Sequence, residues 1–334
     1  MSGKIQSDFY RIISFPRIHI SLIGMNFGGY RINGGIGFSI SEPKLNCSFK
    51  ESSEVEIIDE REIQLADDEK QRLKETICNC VYNYKFRKTI KCTISGNSLP
   101  HFGLGSNTAI YLSCIEAVFY FNNYCYNRKI IVESSKRGGT SGIGINTYFD
   151  GGFVFDAGIK SGSHNLVPSS ISIADRQGAL PLVINKSKSP EWKIGICLPI
   201  LIGNKTEPEE VDFFKKNCPI DKSNVYEILY EATYGITSSI LENDYATFCK
   251  AINAIQLSRW KFLERSIYGK ELVNIESTIK SLGADCVGMT SLGPSLFFMG
   301  ENIEEIIAKI SSTLPNSFCY LAQLNNQGRI VRYD

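Results

Sequence analysis

Apolar and polar residues alternate in short runs from Ile12 to Pro43, interrupted by Gly28-Gly29 and by Asn33-Gly34-Gly35-Ile36-Gly37. That pattern predicts strands joined by tight turns and an antiparallel start. Strand-like sequence continues over residues 47–64, after which Leu73, Ile77, Val81 and Tyr84 fall on one helix face, with Asp67 and Asp68 in front. Lys88 to Ser95 reads as a further strand. A glycine loop follows it, and Ala109, Leu112, Ile115, Val118 and Phe119 then mark the buried face of the next helix. A second glycine cluster, residues 137–144, precedes a short segment ending at Asp156. Pro, Lys and Ser accumulate between Leu180 and Pro190, which predicts a break.

Beyond the break, helices are predicted at 207–217, 224–242, 244–265 and 269–282. A strand–turn–strand unit spans Asp285 to Met299, a helix begins near Ile303, and a terminal hairpin is expected to turn at Asn325-Asn326-Gln327-Gly328. The expectation is an α+β protein of two domains, residues 1–186 and 187–334, with a ligand cleft between them.

Pro100-His101-Phe102-Gly103-Leu104-Gly105-Ser106-Asn107-Thr108 lies between the predicted strand and helix. Backbone amides approach an anion closely only where side chains are absent, and a helix N-terminus favours negative charge. Ser106 could cap the helix or hold a phosphate-bound Mg²⁺. Gly-rich turns before helices also occur as plain structural turns, and the Gly-Lys-Ser/Thr ending of a Walker loop is absent.

The 36 Lys and Arg balance 35 Asp and Glu, so no global field favours nucleic acid or an anionic membrane. The first residues lack an apolar signal core, and no stretch is long and apolar enough for a membrane span; a cytoplasmic protein is expected. Eleven cysteines in no paired spacing predict reduced thiols. Cys78 and Cys80 face different directions on a helix, and His19, His101 and His164 are too separated to suggest zinc.

The Pro-x-x-x-Gly-Leu-Gly-Ser run resembles the central motif of the GHMP kinase superfamily. Further matches point to the β-ribofuranosylaminobenzene 5′-phosphate synthases, a non-kinase branch with C-nucleoside relatives. They are Arg17-Ile18-His19, Leu22-Ile23, Asn26, Gly34-Gly35-Ile36-Gly37, Arg137 to Gly144, Gly151-Gly152-Phe153, Pro168-Ser169-Ser170, Cys218-Pro219-Ile220 and Ser291-Leu292-Gly293-Pro294. The resemblance implies an N-terminal domain like ribosomal protein S5 and a C-terminal GHMP domain. It also implies a reaction in which phosphoribosyl pyrophosphate and an aromatic or heteroaromatic acid give a C-riboside 5-phosphate, pyrophosphate and carbon dioxide. Many superfamily kinases place an Asp seven residues before a Gly-Gly pair. This chain has Gly144 there, although Asp150 and Asp156 are nearby, so an ATP-dependent small-molecule kinase is the alternative, and a catalytically inactive phosphate-ligand binder a third class.

On this resemblance, Arg17, His19 and Asp156 are the expected catalytic residues, and Ser106 and Asp156 the expected Mg²⁺ ligands. Gly103, Leu104, Gly105, Ser106, Asn107 and Thr108, with Arg137, Gly138, Gly139, Thr140, Ser141 and Gly142, would bind the donor phosphates. Asn26, Asn33, Gly34, Gly35, His164, Ser169 and Ser291 would adjoin the acceptor. The implied partners are small molecules only, with no nucleic acid or membrane, in a homodimer. Two departures from the synthase pattern, Gly24 and Ala109, remove a carboxylate and an amide and bear on which acid is accepted.

Overall fold

A computed structural model of the chain describes residues 10–27, 29–162, 166, 168, 180–203, 205–314 and 316–333. Five strands come first: β1 (Tyr10–Ser14), β2 (Arg17–Gly24), β3 (Arg31–Ser39), β4 (Leu45–Ser52) and β5 (Glu56–Asp59). Then follow α1 (Asp67–Asn83), β6 (Thr89–Gly96), α2 (Ser106–Phe121), α3 (Arg128–Ser135), α4 (Ile143–Asp150), β7 (Phe153–Asp156), β8 (Ile159–Lys160) and β9 (Val183–Ser187). The later part holds β10 (Lys193–Pro199), α5 (Glu207–Asn217) and α6 (Lys222–Tyr230), which passes through a π-helical stretch into α7 (Ser238–Glu242). It ends with α8 (Tyr245–Leu257), α9 (Arg259–Ser266), α10 (Gly269–Ser281), β11 (Cys286–Met289), β12 (Leu296–Met299), α11 (Ile303–Thr313), β13 (Ser317–Gln323) and β14 (Ile330–Tyr333).

The described residues form three sheets. One runs β14-β1-β4-β6-β5, parallel only between β5 and β6; the second runs β2-β3-β7-β9, with β8 pairing β3; the third runs β11-β12-β10-β13. The expected terminal hairpin does not form. β13 pairs with β10 and β14 with β1, so Asn325 to Gly328 carries the chain from one sheet to another. The buried Glu116 carboxylate accepts from the Arg329 guanidinium (Nε 2.9 Å) and the Tyr148 hydroxyl (3.0 Å), fixing this return. A charged pair of that kind is costly to break once dehydrated. The helix expected at 244–265 is interrupted at Ser258, whose extended backbone separates α8 from α9.

α2 is buried nearly all round because its apolar residues cover more than one stripe and it packs on the first sheet, α1, α3 and α4. The largest apolar core is shared by the two halves: Phe38 of β3 meets Phe248 of α8 and Phe297 of β12. That shared core holds the loop before α2 against the turn between β11 and β12.

Candidate active site

Gly103 and Gly105 both adopt left-handed backbone, with φ of 77° and 84°. At Gly103 an added Cβ would lie 2.3 Å from the Thr290 carbonyl oxygen, and at Gly293 one would lie 2.2 Å from the Gly103 nitrogen. The two glycine-rich segments therefore press backbone against backbone. The Gly103 carbonyl accepts from the Arg17 guanidinium and from Thr290 Oγ1 (3.0 Å), while the Arg17 N–H donates to the Leu104 carbonyl (3.0 Å). Gly105 leaves room for the Arg17 side chain, 3.1 Å from where its Cβ would stand. Arg17 of β2, the loop and the turn between β11 and β12 are thus held together.

A cavity of about 390 Å³ opens beside this unit. Of the expected residues, Arg17, His19, Gly103, Gly105, Ser106, Asn107, Thr108, Arg137, Gly138, Thr140, Ser141 and Ser291 line it. Leu104, Gly139 and Gly142 do not: the Leu104 side chain is in the core, and the Gly142 N–H donates to Asp156 (2.9 Å). His164 and Ser169 lie outside the described residues.

Several expected roles are corrected. Ser106 Oγ donates to the Leu99 carbonyl (3.0 Å), and Gly105 occupies the N-cap position, so the hydroxyl ties the loop to itself instead of capping the helix. Asp156 is fully buried behind the second loop, accepting from Gly142 N (2.9 Å), Gly158 N (2.9 Å) and Ser141 Oγ (3.1 Å). It braces the loop and takes no part in the cavity wall. Burial raises its pKa to about 6 against the opposing pull of those donors. Asp156, its oxygens taken by those donors and set behind the cavity wall, does not share a site with Ser106, and among the described residues no cluster of three or more His, Cys, Asp or Glu side chains could hold a metal. The Asn26 side chain donates to the Ile220 carbonyl and fixes the Cys218-Pro219-Ile220 turn. Asn33 and Gly34 have left-handed backbone, and Gly35 makes room for His19, whose Nε2 lies 2.7 Å from where a Gly35 Cβ would stand. These three shape the wall without lining it.

Burial and the charges of Arg17 and Lys261 hold His19 well below the usual histidine range, so its ring is neutral near pH 7. Nδ1 of His19 and Nε of Arg17 are buried without a hydrogen-bond partner among the described residues. Burial lowers the Arg17 pKa to about 10, with Glu210 opposing, and it stays cationic. The result is a buried floor bearing donors with unused capacity.

The structure also brings in residues that the motifs did not single out. Glu69, in the first turn of α1, holds the His101 ring (2.6 Å) and the Asn107 amide (3.3 Å) through Oε1, and its Oε2 accepts from Ala66 N (3.1 Å). That contact raises the His101 pKa and, despite burial, lowers that of Glu69. Arg137 lies 4.0 Å over the Tyr111 ring. Glu210 of α5 and Glu264 of α9 complete the wall. An acidic first helical turn is the one sequence signal that could have marked Glu69; nothing local marks Glu264. Gly144 faces the cavity beside Thr108, so no carboxylate stands at the position where many kinases carry one.

No family model matches the chain. It is 28% identical over 307 residues to the β-ribofuranosylphenol 5′-phosphate synthase of Methanothermobacter thermautotrophicus, covering 90% of this chain and 92% of that one. The enzyme of the same name from Methanocaldococcus jannaschii is 29% identical over 311 residues, covering 87% and 89%. Among solved structures, homoserine kinase from Cytophaga hutchinsonii aligns with a TM-score of 0.69 at 16% identity over 99% of this chain and 100% of that one. L. major mevalonate kinase aligns at 0.65 and 14% identity, over 98% and 100%. The resemblance carried by the motifs thus holds: the chain has the fold of these homoserine and mevalonate kinases, and in sequence it is similar to the β-ribofuranosylphenol 5′-phosphate synthases over nearly its whole length.

Proposed function

We propose that the chain is a decarboxylating C-ribosyltransferase that joins phosphoribosyl pyrophosphate to an aromatic or heteroaromatic carboxylic acid. The observation that supports this function is the pairing of a floor of unpartnered Arg17 and His19 nitrogens with Gly144 at the kinase-carboxylate position, in a chain similar to the synthases over nearly its whole length. In the reaction the bond from the anomeric carbon to pyrophosphate breaks, and the ring carbon bearing the carboxylate supplies the electron pair for the new carbon–carbon bond. The ring-to-carboxylate bond then breaks, its electrons restore aromaticity, and carbon dioxide leaves. No proton is removed from the ring, so no base is required at position 144.

The amides at the start of α2, with Arg137 and His101, would bind donor phosphates. Arg17 and neutral His19, whose buried Nε and Nδ1 are unpartnered, would hold the acceptor carboxylate. Mg²⁺ would arrive on the donor's phosphates, since it usually keeps several waters and few protein ligands in such sites. The test is incubation of the protein with phosphoribosyl pyrophosphate, Mg²⁺ and carboxyl-¹³C aromatic acids. Labelled carbon dioxide and riboside should appear in equal amounts. A riboside retaining the label would overturn the decarboxylative route, and phosphoryl transfer from ATP at about 1 per second or faster would favour the kinase instead.

A further inference from the structure

From Lys222 to Glu242 the chain runs as one continuous helix through α6, the π-helical stretch Glu231–Thr237 and α7. Its inward side, with Ile228, Ala232, Ile236 and Ile240, is buried. At Gly235 an added Cβ would lie 2.4 Å from Cβ of Ala251, so α8 presses directly on the π-helical backbone. On the outward side Tyr226, Tyr230, Tyr234 and Leu241 are 56%, 61%, 69% and 58% exposed, with Leu229 beside them. Residues four apart on a regular α-helix drift by about 40° around its axis. The wider π turn takes that drift back and keeps the three tyrosines in one line, the Tyr230 and Tyr234 rings lying 5.2 Å apart. A solvent-facing helix side ordinarily carries charged and polar residues; single apolar exceptions are commonplace, whereas five in a line mark a surface that another surface covers.

Charge and area identify the occupant. Lys222 opens the stripe and Glu242 closes it; both are exposed, and neither forms a salt bridge among the described residues. A partner surface of one sign, such as an anionic membrane, would match only one end. The same helix turned end for end matches both. With roughly 200 Å² for each large side chain, the five apolar residues leave about 550 Å² uncovered. Tyr30, 98% exposed on the turn between β2 and β3, is near enough to act on the Lys222 charge and extends the patch at that end. The patch then approaches the roughly 800 Å² per partner of a standard interface. We propose that this stripe is the interface between two copies of the chain, packed antiparallel about a two-fold axis level with Ala232. In that register Lys222 of one copy meets Glu242 of the other, Tyr230 meets Tyr234, and the small Ser238 receives Tyr226. Each contact occurs twice, as an isologous interface requires.

The test is sedimentation velocity on the full chain at concentrations from about 1 to 100 μM, with circular dichroism to establish folding. Wild type should sediment at twice the chain mass of 37.3 kDa. Tyr230→Gln/Tyr234→Gln should raise the dimer dissociation constant about thirtyfold or more, since buried tyrosines dominate interfaces of this kind. Lys222→Glu or Glu242→Lys alone sets like charges together twice across the axis and should raise it about tenfold. The double exchange Lys222→Glu/Glu242→Lys restores both pairs and should return it to within about threefold of wild type. The charge variants change only exposed side chains, so they decide the matter even should the tyrosine variant fail to fold. A wild-type chain that stays monomeric at the highest concentration would overturn the interface. So would a dimer indifferent to the tyrosine changes in folded protein, or a double exchange no tighter than the single ones. No riboside is measured, so the result stands or falls apart from the synthase function.

Discussion

The loop at residues 100–108 is gripped from outside, whereas the loop at 137–144 is held from behind. In the first, Gly103 and Gly105 are required because Thr290, Gly293 and Arg17 occupy the space their side chains would need. In the second, a single buried carboxylate, Asp156, gathers Gly142 N and Ser141 Oγ and reaches Gly158 N beyond the strand. Both loops face one cavity, and both read as phosphate loops. The difference teaches that a glycine marks where backbone is crowded without saying by what. In the first loop the crowding at Gly103 comes from the other half of the protein and that at Gly105 from Arg17, so the glycines by themselves do not mark an anion site.

Gly103→Ala should therefore have the largest effect. A methyl at φ 77° that also meets the Thr290 carbonyl at 2.3 Å combines backbone strain with overpacking. Costs of about 1 kcal/mol for the conformation and 1–3 kcal/mol for the clash predict a marked fall in melting temperature and loss of riboside formation. Normal stability and kinetics in the purified variant would show that the two segments separate readily.

Asp156→Asn attacks the other loop from behind. The amide keeps one acceptor oxygen but cannot serve all the present donors, for an expected loss of about 1–3 kcal/mol and about tenfold or more in turnover. Its pH signature distinguishes it from a general packing defect. Because the folded-state pKa of Asp156 is raised to about 6, its favourable contribution is complete below the unfolded value near 3.8 and is lost as pH rises through about 6. Wild-type stability from this group should fall over that window, whereas the Asn variant lacks this dependence. Denaturant melts at a series of pH values decide it; identical slopes in the two proteins would show that Asp156 does not titrate as stated.

Much of the architecture was legible because it rests on local periodicity: the α1 face, the apolar α2 and the strand before it follow from residue spacing. What the sequence concealed is long-range. Asn325 to Gly328 has hairpin chemistry, yet Arg329 is claimed by Glu116, 213 residues earlier, and β14 joins β1. Ser258 breaks a helix whose apolar period continues across it. The motifs led to the cavity, but not to the roles within it. Asp156 carries oxygens suited to Mg²⁺, and only the fold reveals that backbone and hydroxyl donors occupy them. Gly24 is a departure that the structure explains: a Cβ there would stand 2.8 Å from the Asn33 carbonyl, so the strand pair closes where the synthase pattern has an aspartate.

The smallest expected effect tests how the first loop meets its ligand. His101 has φ of 63° and its ring is tied to Glu69; Asn107 of α2 shares that carboxylate, Glu210 of α5 adds negative charge, and Arg137 opposes it. The balance raises the His101 pKa, so the charged ring's contribution is complete below the ordinary histidine value and is lost as pH rises through the raised one. His101→Gln keeps a donor for Glu69 but removes the charge. At a pH below the histidine range the variant should show a KM for phosphoribosyl pyrophosphate several-fold above wild type, because one partly exposed charge near a polyanion is worth about 0.5–1 kcal/mol. As pH rises past the raised pKa, the wild-type KM should climb toward that of the variant. Parallel profiles would mean that His101 only shapes the loop, and that the positive field felt by the donor comes from Arg137 and the helix N-terminus alone.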